Sequence, residues 1–142
     1  MSDYKHPIQL ERVVFTRSVV IAVPEHQPSD PIQPTLGPEN TVNVIPIDGQ
    51  EGKYQVSMGT KLNINGAPAY PYIIDMECVG VFSVDTQLPQ EEAIRGVTIT
   101  AHSVLYGAIR EAVAWLTGRQ PFGQLMLGLS VLRAAPQEPQ KE

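Results

Sequence analysis

Between residues 101 and 116, apolar side chains recur every three or four positions, and this spacing predicts a long amphipathic helix. The apolar stripe comprises Ala101, Val104, Leu105, Ala108, Ile109, Ala112, Val113 and Leu116. The opposite side is mainly polar and carries His102, Tyr106, Arg110 and Glu111. Gly118 predicts the end of the helix, because glycine adopts the left-handed conformation that stops helices without a Cβ penalty. A stripe this wide needs a surface to cover, and we expect that surface to be a sheet built by the preceding residues.

The first strand is predicted over residues 8–23, which are rich in β-branched side chains. Its alternation changes phase near Glu11 and Arg12, and the new phase continues through Val19, Ile21 and Val23. Because a one-residue slip exchanges the two faces of a strand, this change predicts a bulge or bend. Five prolines between residues 24 and 38 then predict an extended surface loop.

Three more strands complete the predicted sheet. Residues 41–47 predict a short strand. Pro46 indicates that this strand either lies at an edge of the sheet or ends at that residue. Apolar and polar residues alternate over 54–64 and over 70–78, continued by 80–84, which predicts two long strands. The positions that this alternation places in the core are Tyr54, Val56, Met58, Leu62, Ile64, Tyr70, Tyr72, Ile74, Met76 and Cys78. Asn65 and Gly66 predict a hairpin between them, and a three-residue loop with a glycine bulge keeps even-numbered residues paired with even-numbered ones.

The remaining segments complete a single α+β domain over residues 1–135. Residues 88–94 predict a short helix with proline and acids in its first turn. Residues 120–132 are apolar but interrupted by Gly123 and Gly128, which favours an extended segment over a helix. This segment either completes the core or serves self-association or the binding of other apolar chains. The polar residues 136–142 predict a disordered tail.

Composition narrows the class of partner. The chain has 142 residues and a net charge of −5, which argues against sequence-independent binding of nucleic-acid phosphates. Its single cysteine excludes a disulfide framework. No signal peptide is evident and no run approaches the roughly 18 apolar residues of a membrane span. We therefore expect a cytoplasmic protein whose partners are other proteins.

Candidate chemistry is sparse. The three histidines lack a metal-ligand spacing, and Cys78 lies in core phase on a strand, where a small buried side chain is more typical than a nucleophile. Asp75 and Glu77 share one strand face, which suits a solvated or docking surface better than an acid–base pair. Tyr70 and Tyr72 fit the core better than a ligand pocket. Nothing in the sequence supports an enzyme.

The order of these features resembles the SecB family of cytoplasmic export chaperones, which hold preproteins unfolded. The likeness extends from about Ile8 to Leu132. It rests on these short motifs in their order: Gln9-Leu-Glu-Arg12, Tyr54-Gln-Val56, Gly80-Val-Phe82, Ser103-Val-Leu-Tyr106, Ala108-Ile-Arg-Glu111 and Phe122-Gly-Gln-Leu-Met-Leu127.

The resemblance implies a four-stranded antiparallel sheet with helix packed on one face, assembled as a homotetramer from two dimers. It implies apolar client grooves and neither an ATP site nor any other cofactor or metal. Carried onto this sequence, the client-binding residues are Ile32, Leu36, Val42, Val44, Leu125, Leu127, Leu129 and Leu132. The helix positions expected at the oligomer interface are Val104, Leu105, Ala108, Ile109 and Ala112.

Two departures from the family pattern leave alternatives open. The family docks on the translocase motor SecA through an acidic sheet face, and the matching positions here, with one neighbouring acid, are Ser18, Ala22, Ile73, Asp75 and Glu77. Two family acids are thus absent from the first strand. The family's second helix is also absent, because Arg133-Ala-Ala-Pro136 leads into a short tail. A SecB-like adaptor dedicated to one partner, such as an antitoxin or a narrow client set, is the alternative, and a small-molecule-binding or catalytic domain is a third hypothesis.

Overall fold

The computed structural model describes residues 7–27 and 37–130. Within them the chain forms four strands and one helix: β1 (Ile8–Ala22), β2 (Glu39–Pro46), β3 (Lys53–Leu62), β4 (Tyr72–Val84) and α1 (Gln90–Thr117). The strands form one antiparallel sheet in the order β1-β4-β3-β2, and α1 packs on one face of it. The predicted α+β fold with a four-stranded sheet is confirmed, and β2 is an edge strand as Pro46 indicates.

The two central strands follow their sequence alternation. Even-numbered residues of β3 pair with even-numbered residues of β4, as in Leu62 opposite Ile74, and both sets are buried beneath the helix. The predicted tight hairpin is wrong, because residues 63–71 form a wider loop. Asn63 shapes this loop with a φ of 55° and a side chain that bonds the N–H and carbonyl of Ala67. Ile64, predicted to be in the core, is therefore exposed.

β1 contains the predicted bulge and a second one. The register shifts between Leu10 and Arg12, as the phase change indicates, and shifts again between Phe15 and Arg17. The second shift exchanges the faces, so Val20 and Ala22 pack against the core. The predicted continuation of one phase through Val19, Ile21 and Val23 is wrong on this point, and Ile21 lies on the outer face with 52% of its surface exposed.

The helix is longer than predicted. The expected short helix at residues 88–94 merges with the main helix into one helix of 28 residues that follows Pro89. Its inner side buries Ala93, Val97, Ala101, Leu105, Ile109 and Val113 against the sheet. The helix ends at Thr117 as expected, but Gly118 has a φ of −60°, so the predicted left-handed stop is wrong. No helix among the described residues is long and apolar enough to cross a membrane.

After α1 the chain continues into residues 121–130, here called the C-terminal segment, which contains neither helix nor strand, as predicted. The buried side chain of Tyr72 holds its beginning: the hydroxyl donates to the Gly123 carbonyl at 2.7 Å and accepts from the Phe122 N–H at 3.1 Å. The hydroxyl of Thr117 accepts from the Leu125 N–H at 2.8 Å. The middle of the proline-rich loop and the predicted tail lie outside the described residues.

Candidate polypeptide-binding site

Three polar side chains on one side of α1 hold the C-terminal segment against the helix. Arg110 Nε donates to the Leu127 carbonyl at 2.8 Å, and the Tyr106 hydroxyl donates to the Gly128 carbonyl at 2.6 Å. His102 Nε2 lies 3.1 Å from the Ser130 hydroxyl. His102, Tyr106 and Arg110, here called the polar row, stand one helical turn apart, because residues four apart share a helix face. The segment therefore runs antiparallel to the helix.

The end of the segment lies beside the sheet edge formed by β2. Asn40 at the start of β2 donates through Nδ2 to the Ser130 hydroxyl at 3.1 Å. Asn40 Oδ1 in turn accepts from the buried Thr60 hydroxyl at 2.7 Å. Burial raises the pKa of Tyr106, while the charge of Arg110 and a hydrogen bond with Asn40 oppose this shift. These contacts join helix, segment and sheet edge into one hydrogen-bonded site.

The structure brings several of the expected client-binding residues to this site, but with unequal exposure. Val42 and Val44 are half-buried on the helix side of β2, and Leu125 is half-buried against the same core. Leu127 is only 4% exposed, whereas Leu129 is 84% exposed. Ile32, Leu36 and Leu132 lie outside the described residues.

A cavity of about 420 Å³ lies between the outer side of α1 and the C-terminal segment. Trp115 and Met126 form its apolar walls, together with Ala114 and Gly107, and both large side chains are more than half exposed. The guanidinium of Arg119 stands 5.6 Å from the Trp115 ring centre. The sequence pattern missed this surface, because Trp115 lies outside the apolar stripe and Met126 belongs to an irregular segment.

The proposed motor-docking residues do not share one face. Ser18 and Ala22 pair with Met76 and Tyr72, whose side chains are buried on the helix side of the sheet. The outer face carries the other three, Ile73, Asp75 and Glu77. The second bulge of β1 is the physical reason, since it shifts Ser18 and Ala22 by one position.

The acids of this outer face are already engaged. Arg17 Nε contacts Asp75 Oδ1 at 2.9 Å, and Arg17 Nη1 lies 3.8 Å from Glu77 Oε2. The Thr16 hydroxyl donates to Glu77 Oε1 at 2.6 Å. The cation between these two carboxylates, together with Lys61 opposite Asp75 on the neighbouring strand, offsets their negative charge, which weakens the attraction of this patch for a basic partner.

The helix residues expected at an oligomer interface also separate into two groups. Leu105 and Ile109 have no exposed surface and pack against the sheet of their own chain. They cannot contact a second copy directly, which corrects that part of the expectation. Val104, Ala108 and Ala112 are half-buried beside them, and the outer side of the helix carries the exposed Ile99 and Trp115.

The residues considered for chemistry have structural partners. Cys78 is buried, and burial raises the pKa of its thiol to about 11, which disfavours the nucleophilic thiolate. Tyr70 and Tyr72 are buried, and His102, expected at the surface, is 5% exposed and stacks on Tyr106. Among the described residues, no three acidic, histidine or cysteine side chains form a metal-binding group.

Comparison with known proteins supports the same fold. No protein-family model matches the chain. A solved structure of the Mycobacterium tuberculosis Rv1957 SecB-like chaperone, in complex with a ChAD peptide from the Rv1956 HigA1 antitoxin, matches with a TM-score of 0.56 over 89% of this chain and 88% of that one. The fold is SecB-like. Sequence identity to that structure is 21%.

The SecB-like character extends to the sequence. The protein-export protein SecB of Anaplasma phagocytophilum (strain HZ) is 32% identical over 91 residues. The match covers 59% of this chain and 56% of that protein, so it spans little more than half of the relative's length. The resemblance to the SecB family that the sequence motifs indicate is confirmed.

Proposed function

We propose that this SecB-like protein is a chaperone that binds apolar stretches of unfolded polypeptides and holds them without using ATP. The observation that carries the proposal is the exposed apolar surface beside the C-terminal segment, where Trp115, Met126 and Leu129 expose 64%, 59% and 84% of their surface. Burial of apolar side chains is non-directional, so it suits clients of unrelated sequence. The SecB-like fold and the peptide-bound state of the solved neighbour support the same role.

The proposed client site combines the helix side of β2 with the C-terminal segment. Val42 and Val44 contribute half-buried apolar surface, and Asn40 connects their strand to Ser130. Leu125, Leu127 and Leu129 contribute the segment, and Ile32, Leu36 and Leu132 remain part of the proposal on sequence grounds. An extended client stretch laid along this site would present alternate side chains to the apolar surface.

The protein is proposed to act in the cytoplasm as a homotetramer made from two dimers. Exposed Ile99 on the outer side of α1, with half-buried Val104, Ala108 and Ala112 on the same helix, supports helix contact between copies. Covering apolar side chains on a helix surface with a second surface is favourable, because it removes them from water. The unfolded clients would be preproteins destined for export.

A dedicated adaptor is the second candidate function. The Arg17 side chain that engages Asp75 and Glu77 reduces the net charge of the outer sheet face, which favours a role without docking on SecA. The solved neighbour is bound to a peptide of an antitoxin, and a SecB-like adaptor could serve one such partner. The two functions differ in the range of clients rather than in the fold.

The deciding experiment measures light scattering during the refolding of several unrelated denatured proteins, with this protein added at increasing ratio. A general chaperone suppresses aggregation of all of them, with saturation near one assembly per client. An inert protein of similar mass serves as the control. No suppression at a large excess would contradict the general chaperone and leave the dedicated adaptor.

Two substitutions on β2 test the site itself. Val44→Thr keeps the shape of a half-buried side chain but adds a hydroxyl to the apolar surface, and we expect about fivefold weaker client binding, equivalent to about 1 kcal/mol. Ile45→Thr is the matched control, because Ile45 lies on the opposite face of the same strand. Equal effects of both substitutions would show that the client does not use the helix side of β2.

A further inference from the structure

Leu127 raises a problem for the client site. It is only 4% exposed, and Leu125 beside it is half-buried against the core. A client gains hydrophobic free energy only from apolar surface that water still contacts. While the C-terminal segment is seated, the surface beneath these two leucines is already covered, so the most apolar part of the proposed site is closed to a client.

Two of the contacts that seat the segment are independent of its sequence. Arg110 and Tyr106 donate to the carbonyl oxygens of Leu127 and Gly128, which any polypeptide could supply. Leu125 and Leu127 stand two positions apart and both pack against the core, as alternate apolar side chains of an extended client stretch would. The segment therefore occupies α1 in the way that an unfolded polypeptide would.

The segment is held by side chains rather than by a backbone ladder. Within the part of the chain that the structure describes, no backbone-to-backbone hydrogen bond holds residues 124–130. Gly123 precedes them with a φ of 81°, and Gly128 interrupts them. Segments without a backbone ladder open at low free-energy cost compared with strands and helices.

We propose that the polar row is a backbone-binding site for extended apolar polypeptides, occupied in the free protein by the protein's own C-terminal segment. A client stretch with apolar residues at alternate positions binds by replacing residues 124–130. Arg110 and Tyr106 then donate to the client's carbonyl oxygens, and the client's apolar side chains take the places of Leu125 and Leu127. This inference rests on the proposed chaperone function.

Replacement makes the apparent affinity depend on how often the segment is open. The apparent dissociation constant equals the intrinsic one divided by the open fraction, so weakening the segment's own hold tightens client binding. Ser130→Ala removes the hydroxyl that accepts from Asn40 and contacts His102. We expect this variant to bind clients at least about fivefold more tightly, because two hydrogen bonds contribute a net of roughly 1–3 kcal/mol.

The experiment titrates a synthetic peptide into the unaltered protein and two variants, and follows binding by anisotropy of a dye on the peptide. The peptide has the sequence of residues 122–130 with serine in place of Met126, blocked ends and added lysines for solubility. Ser103→Ala is the matched control for Ser130→Ala, because Ser103 is exposed on the outer side of α1. We expect the control to leave the affinity unchanged.

Trp115 provides an independent readout, since it is the only tryptophan of the sequence and lines a cavity with Met126. Departure of the segment removes Met126 from the cavity that Trp115 lines, and the peptide supplies no methionine in its place, so Trp115 emission should change in proportion to the peptide bound. If the segment is instead a fixed wall of the site, Ser130→Ala binds the peptide no more tightly than Ser103→Ala does, which overturns the inference. Failure of the chaperone function itself would appear differently, as absent suppression of aggregation by every variant.

Discussion

Tyr72→Phe removes one hydroxyl that joins the sheet to the C-terminal segment. Tyr72 is 1% exposed at the start of β4. Its hydroxyl donates to the Gly123 carbonyl at 2.7 Å and accepts from the Phe122 N–H at 3.1 Å. Burial raises the pKa of the phenol, and the hydrogen bond from Phe122 opposes that shift. Phenylalanine keeps the ring packing and leaves both backbone groups without this partner.

The expected loss follows from these two bonds. A typical intramolecular hydrogen bond contributes a net 0.5–1.5 kcal/mol, so two bonds give roughly 1–3 kcal/mol. Phe122 is half-buried and Gly123 is exposed, which lets water replace part of what is lost. We therefore expect the free energy of unfolding to fall by about 1–2 kcal/mol, toward the lower part of that range.

Urea unfolding followed by far-ultraviolet circular dichroism measures the change. Tyr54→Phe is the matched control, because Tyr54 is 6% exposed on the same sheet face and no hydrogen bond of its hydroxyl is found among the described residues. We expect the control to change stability by less than about 0.5 kcal/mol. Equal losses in both variants would refute the reasoning, since they would trace the effect to the ring environment rather than to the bonds.

Two further predictions concern the core. Gly80→Ala would place a Cβ 2.8 Å from the Phe82 ring and 3.0 Å from Leu105, so we expect a loss of about 1–3 kcal/mol in urea unfolding, and an unchanged stability would contradict this close packing. Cys78, with a thiol pKa near 11, should react with a thiol reagent at pH 8 only in denaturant. Because the unfolded thiol ionises first, Cys78 stabilises the fold below about pH 9, and this contribution should decline between pH 9 and 11. Rapid labelling of the folded protein would contradict this assignment.

Sequence alternation predicted the central strands because both of them bury one face fully. Every even-numbered residue of β4 is buried, so its period-two pattern is uninterrupted. β1 gave a weaker signal, since it is an edge strand with apolar side chains on both faces. The first bulge is visible in the sequence as a change in the phase of the alternation. The second bulge turns Ala22 instead of Ile21 toward the core, and both residues are apolar. No alternation could reveal that shift.

The candidate site was predictable only in part, for a related reason. The leucines of residues 120–132 indicated apolar surface, but not which of them points inward, because an irregular segment has no fixed period. Leu127 and Leu129 are both leucines two positions apart, yet one is 4% and the other 84% exposed. The polar row was visible as the polar side of the helix. Its role required the segment's position, which tertiary contacts alone determine.

The charge balance of the outer sheet face bears on which function the protein performs. Arg17 is 39% exposed, so its pairing with Asp75 is worth little to stability, and its main consequence is electrostatic. Charged faces steer partners through their summed potential, and a patch with one cation between two anions attracts a basic partner less than the two anions alone would. The sequence supplies that cation in the strand where the SecB family is expected to have acids. A dedicated adaptor needs only the client site, whereas an export chaperone also needs the motor, so this charge balance bears on motor docking alone, and the client site is common to both.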